Sequence, residues 1–181
     1  MQTPPRPPVY ATFSGQIDQV NAQKLINALI VGSGQYGHIH LLFQSHGGFI
    51  GDGVCLYNFF RAYTTELTLY NTGAVSSMAA IAYLGGKHRK VSKYGTFMIH
   101  RSTISPLNAT VARLQAAAES LKIDDQRTDE ILRSHVELSQ DQWDKLNYVD
   151  LTFSAEEAVK IGMADEIAEF LPPPTAKILF V

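Results

Sequence analysis

Two adjacent serines, Ser76 and Ser77, stand where an apolar run gives way to a run of small residues. Residues 67–70 before them read as a buried strand, and residues 78–84 after them read as a helix ended by Gly85 and Gly86. The first amides of a helix have no internal partner, and the helix dipole favours negative charge there. A serine at such a turn can attack a carbonyl carbon while nearby amides hold the oxyanion that forms. It also suits a plain helix cap. The surrounding residues do not spell the G-x-S-x-G elbow of the α/β-hydrolases. Nucleophilic chemistry therefore needs three further groups from elsewhere: a base, an acid to orient it and a second oxyanion donor.

The chain holds candidates for each. His100 ends the apolar run 96–99, where a histidine can also be satisfied by a backbone carbonyl. His38 and His40 share one face of a strand, but no cysteine or carboxylate nearby completes a metal-ligand set, so no metal is expected. His46 adjoins a glycine pair, and His88 and His135 read as solvent-facing. Asp150 lies in a loop between two capped helices, from which an acid can reach across to a histidine. Asp141, Asp144 and Asp165 compete with it, although Asp141 and Asp144 suit the first turn of a helix. Gly47 and Gly48 are a turn in the bland reading, but glycine also lets a backbone amide approach a ligand closely.

The elements that would position these residues follow a clear order. Residues 9–13 alternate as a strand, and Asp18 caps a helix that stops at Gly32 or Gly34. Residues 38–43 form a second strand, 51–63 a second helix and 67–70 a third strand. Three alternations of strand and helix predict α/β units on a mostly parallel sheet with right-handed crossovers. After His100 comes a helix over 109–136, which would span about 42 Å. A globular domain of this length is about 40 Å across. The helix should therefore project, and Val111, Leu114, Leu121, Ile131 and Leu132 on it would need a partner. Ser139 with Gln142, and Ser154 with Glu157, are capping boxes for two short helices, the second ending at Gly162. Residues 177–181 read as a last strand. Proline-rich stretches at 1–8 and 171–175 read as extended ends on a single domain over 9–170.

Composition narrows the function classes. Fifteen basic against seventeen acidic residues leave a formal charge of −2, which argues against a nucleic-acid footprint. No apolar run approaches eighteen residues, so no membrane span is expected. The lone cysteine, Cys55, reads as a buried structural thiol and fits a reducing, cytoplasmic compartment.

Four blocks, in order, resemble the proteolytic subunit of the Clp (caseinolytic) proteases. Ser45-His46-Gly47-Gly48 stands where that family has Ser-Pro-Gly-Gly. Residues Gly73 to Ala79 match its Gly-x-x-x-Ser-Met-x, Phe97 to His100 its Met-Ile-His, and Asp150 to Ala158 its Asp-x-x-x-Ser-Ala-x-Glu-Ala. The resemblance covers residues 9–167 and implies the ClpP/crotonase-type fold with a protruding handle helix. It implies Ser77 as nucleophile, His100 as general base, Asp150 as orienting acid and the amides of Gly48 and Met78 as the oxyanion hole. Ser76 is then a capping or packing hydroxyl. The implied activity is hydrolysis of peptides or unfolded proteins inside a heptameric ring, commonly stacked into a tetradecamer, with no metal or organic cofactor. A non-proteolytic scaffold subunit and a crotonase-type acyl-CoA enzyme are the competing readings on the same fold.

Three departures modify these implications. A short proline-rich segment stands where the family has N-terminal axial loops, so weak or absent coupling to a separate Clp-type ATPase is expected. The handle strand reads Ser102-Thr103-Ile104-Ser105-Pro106-Leu107 in place of a glycine-rich run, and Pro106 lacks a backbone donor, so double-ring stacking should weaken. His46 replaces the proline of the oxyanion turn, which leaves both glycine amides in place.

Overall fold

A computed structural model describes residues 6–104 and 108–181. Most of the proline-rich leader, and Pro106 with its neighbours in the handle segment, lie outside the described residues.

The predicted βα units are present as β1 (Pro8–Ser14), α1 (Gln19–Gln35), β2 (His38–Gln44), α2 (Ile50–Ala62) and β3 (Glu66–Asn71). With β5 (His88–Val91), β8 (Glu166–Ile167) and β9 (Ile178–Phe180) they build a six-stranded sheet of order β8-β5-β3-β2-β1-β9. Every pairing in it is parallel. Val9, Ala11 and Phe13 of β1, and Ile39, Leu41 and Phe43 of β2, alternate into the core, as strand periodicity requires. Asp18 caps α1 by accepting the Asn21 amide at 2.8 Å. The helix runs past its expected stop because Gly32 is a packing residue: a Cβ there would stand 3.0 Å from Ile39 Cδ1. Chain order, parallel sheet and flanking helices make this the expected α/β fold.

A second, three-stranded sheet was not visible in the sequence. It joins β4 (Ala74–Ser76), β6 (Thr96–Ile99) and β7 (Leu151–Phe153) in the order β4-β6-β7. The short helix α3 (Met78–Tyr83) follows β4 and is buried along its length. The long helix α4 (Val111–His135) is 25 residues, with Thr110 as its cap, which gives it a length of about 38 Å. Leu132 is its buried anchor, and Leu121 and Ile131 are half-buried, so these three belong partly to the body. Val111, Leu114 and Ile123 stay exposed at 71%, 46% and 62%. Both expected capping boxes close, at the starts of α5 (Gln140–Lys145) and α6 (Ala155–Lys160).

Two further residues depart from expectation. Cys55 is exposed, because the buried face of α2 is Gly53, Leu56, Tyr57 and Phe60, and position 55 points away from it. His135 is half-buried and shares a hydrogen bond with the Tyr57 hydroxyl at 3.0 Å, so it does not face solvent.

His38 and His40 stack at 4.0 Å on the sheet face opposite the core residues of β2. His38 Nε2 contacts Thr68 Oγ1 at 2.8 Å, and His40 Nδ1 contacts the Tyr70 hydroxyl at 3.0 Å. Burial lowers the pKa of His38, despite nearby Glu66, and that of His135. Burial, then His38 and Lys90, lowers His40 from 6.5 to about 4. Each folded value lies below the unfolded one, so the folded state resists protonation. Its stability is full above about pH 6.5 and falls as pH drops toward 4. The melting temperature should therefore fall between pH 7 and pH 5, and His40→Gln should flatten that slope in a pH series of thermal melts. An unchanged slope in the variant would remove His40 as a cause.

Candidate active site

The small sheet determines where the candidate residues meet. In the parallel β4–β6 pair, Ser76 lies opposite Met98. In the antiparallel β6–β7 pair, Ile99 lies opposite Leu151. Ser77 follows the last residue of β4, His100 follows the last residue of β6 and Asp150 precedes the first residue of β7, so the three stand at one end of the sheet.

Ser77 occupies the cap position of α3 with φ 54° and ψ −129°. A positive φ in a residue other than glycine is strained, and such residues gather at functional turns. Its hydroxyl makes no capping bond. Ser77 Oγ lies instead 2.7 Å from His100 Nε2, and the Ser77 amide donates to the Met98 carbonyl at 2.7 Å. Ser76 belongs to β4, is 7% exposed and donates its amide to the Ser45 carbonyl. The hydroxyl that reaches the His100 imidazole is therefore that of Ser77, at a distance that direct proton transfer would require.

Asp150 is placed more loosely. Its Oδ1 is 3.7 Å from His100 Nδ1, and its side chain is 61% exposed against 30% for His100. That is an ion-pair separation, longer than a hydrogen bond. The competing acids are engaged elsewhere: Asp141 with Lys145, Asp144 with Gln140 and Asp165 with Arg89.

The turn before α2 faces Ser77. Gly47 has φ 99°, and a Cβ on it would stand 2.7 Å from Ser77 Cβ, a closeness only glycine permits. Ser45 Oγ accepts the Gly47 amide at 3.1 Å, while the Gly47 carbonyl accepts the Ile17 amide at 2.9 Å. Among the described residues, neither the Gly48 amide nor the Met78 amide is matched with a carbonyl. Both residues line the same cleft as Ser77 and His100. His46 is exposed and lines a separate hollow with Gln16 and Gln44.

The cleft has a volume of about 200 Å³, with Ile50, Met78, Ile81, Ile99, Leu132 and Leu146 as its apolar lining. Arg101 and Asp129 also line it and form an ion pair. Neither was singled out from the sequence. The signals available were the position of Arg101 directly after His100 and the spacing of Asp125 and Asp129, four apart on one helix face.

Comparison with known proteins gives a consistent family. The family model described as Clp protease matches residues 10–170. The chain is 24% identical over 166 residues to ATP-dependent Clp protease proteolytic subunit 1 of Streptomyces avermitilis, covering 89% of this chain and 76% of that one. It is 24% identical over 160 residues to proteolytic subunit 3 of Streptomyces coelicolor, covering 86% and 73%. Against proteolytic subunit 2 of Corynebacterium diphtheriae it is 24% identical over 163 residues, covering 88% and 81%.

Proposed function

The chain belongs to the Clp protease family, and on that premise we propose that it is a serine endopeptidase acting on peptides or unfolded protein. The observation that carries this reading is the Ser77 hydroxyl, which leaves its helix uncapped and lies 2.7 Å from His100 Nε2. His100 takes the serine proton as Oγ attacks the scissile carbonyl, then gives it to the departing amine. The same imidazole next activates the water that hydrolyses the acyl-enzyme. The amides of Gly48 and Met78 hold the oxyanion, and Asp150 orients the imidazole and stabilises its charged form. The protein should react with a fluorophosphonate probe, and peptide mapping should place the adduct on Ser77. The separation of 3.7 Å at Asp150 favours one alternative, a scaffold subunit without activity of its own. A folded protein that takes no label would select that alternative.

The working form in this reading is a closed ring. The exposed Val111, Leu114 and Ile123 on α4 support it, because exposed apolar side chains around a projecting helix favour burial against a neighbour, and identical subunits in head-to-tail contact close into a ring where the rotation between them closes. Family resemblance sets the number at seven, with two rings stacked. Light scattering at micromolar concentration should show a heptamer or a tetradecamer, and an active 20.0 kDa monomer would overturn the ring. The relatives' names include ATP dependence. This sequence has no G-x-x-x-x-G-K-[ST] run, so ATP-driven unfolding is assigned to a separate Clp-type ATPase. Small peptides should be cleaved without it.

A further inference from the structure

We propose that Arg101 is a positioning residue whose guanidinium sets the separation of His100 and Asp150. The proposal rests on the peptidase reading of those two residues. Arg101 lies two residues past the end of β6, directly after His100. Its Nε and one terminal nitrogen both donate to Asn147 Oδ1, at 3.1 and 3.0 Å. Its other terminal nitrogen pairs with Asp129 on α4. One planar group thus joins the residue after His100 to a residue three before Asp150 and fixes both to a helix.

Both anchors are themselves held. Asn147 donates to the Trp143 carbonyl at 3.4 Å, which ties it to α5. One turn before Asp129, Asp125 accepts the Ser102 amide at 3.1 Å, so α4 grips the chain at two consecutive residues after the base. Arg101 and Asp129 are each 25% exposed, so the pair is better shielded than an ordinary surface ion pair. By contrast, little packs over the stretch that the clamp steadies: Tyr148 and Val149 are 88% and 53% exposed. Among the described residues Asp150 accepts no hydrogen bond, and its one ion pair is with His100. The β6–β7 pairing and the Tyr148 and Val149 amides on the Lys145 carbonyl hold the backbone on either side of Asp150, and the Arg101–Asn147 link adds the side-chain restraint on how far the acid stands from the imidazole. A lysine cannot reproduce it, because an ammonium lacks the fork that reaches two acceptors in fixed directions.

The test compares Arg101→Ala and Arg101→Lys in the wild-type chain and in an Asp150→Asn background, with a small chromogenic peptide. Misplacement of a catalytic group by an ångström costs about 10²-fold, so Arg101→Ala should lower kcat about 10²-fold with KM within about twofold, and Arg101→Lys should lie between. In the Asp150→Asn background the same changes should cost less than about twofold, because residues acting through one group are not additive. Guanidinium ion in solution should restore part of the Arg101→Ala rate and none of the Asp150→Asn rate. Equal losses in both backgrounds overturn the proposal. A raised KM with unchanged kcat overturns it in favour of direct substrate contact. A lowered melting temperature with unchanged kcat overturns it in favour of a structural staple. A wild-type protein that never reacts fails the peptidase reading itself. The crystal structure of Arg101→Ala then decides the clamp alone, and a His100–Asp150 separation still at 3.7 Å overturns it.

Discussion

Ser77→Ala should abolish peptide hydrolysis and leave the protein folded. Removing the nucleophile of a serine protease costs about 10⁶-fold in kcat, since the base and acid have nothing left to activate. The fold should survive because the lost oxygen holds no structure together: it caps no helix amide, and it bonds to His100. The turn itself is kept by backbone bonds, Ser77 amide to Met98 carbonyl and Ala80 amide to Ser77 carbonyl. Alanine at φ 54° is strained as serine is, so the backbone cost is already present in the native protein. The stability change should stay within about 1 kcal/mol. Ser76→Ala is the matched control. Its backbone is fixed between β6 and Ser45, it is buried, and the hydroxyl bonded to His100 is that of Ser77, so most activity should remain. Both variants need only a peptide assay and a thermal melt. If Ser76→Ala is the inactive one, the nucleophile has been assigned to the wrong residue.

The contrast between these serines also shows what the sequence could and could not reveal. The strand before them, the helix after them and the family blocks around Ser77, His100 and Asp150 were all legible, because each is local. So were the caps at Asp18, Ser139 and Ser154, where the side-chain oxygen and the amide it accepts are three residues apart. The three-stranded sheet was not legible. Strands β4 and β7 are three residues each, too short to show alternation, and their partner lies far along the chain. Yet its register brings the three candidates to one edge. Arg101 was missed for a related reason: its partners Asp129 and Asn147 are 28 and 46 residues away. Cys55 departs from expectation because a free thiol is ordinarily buried, while the core face of α2 passes through Gly53, Leu56, Tyr57 and Phe60.

Gly48→Ala should lower kcat by about 10²- to 10³-fold, the usual cost of losing one oxyanion donor. The reason lies in what surrounds the missing side chain. A Cβ on Gly48 would stand 2.0 Å from the Ile17 carbonyl oxygen, 2.7 Å from its carbon and 3.0 Å from its nitrogen. All three are backbone atoms, so no rotamer change can relieve the clash. Ile17 cannot easily retreat either: it is fully buried, its carbonyl accepts the Phe49 amide at 2.8 Å and its amide donates to the Gly47 carbonyl at 2.9 Å. The turn carrying the Gly48 amide is therefore the part that must shift, and that amide would leave the position proposed for the oxyanion hole. Overpacking of this kind also lowers stability by about 1–3 kcal/mol, so the melting temperature should fall while the protein remains folded. KM should change little, because the lost interaction is made chiefly in the transition state. His46→Ala is the control for the same turn: it is exposed, lines a separate hollow and should keep activity within about twofold. Single-turnover kinetics on the three proteins separate the outcomes. A Gly48→Ala enzyme with wild-type kcat would remove this amide from the oxyanion hole, leaving the Met78 amide to act alone or with a donor not yet assigned.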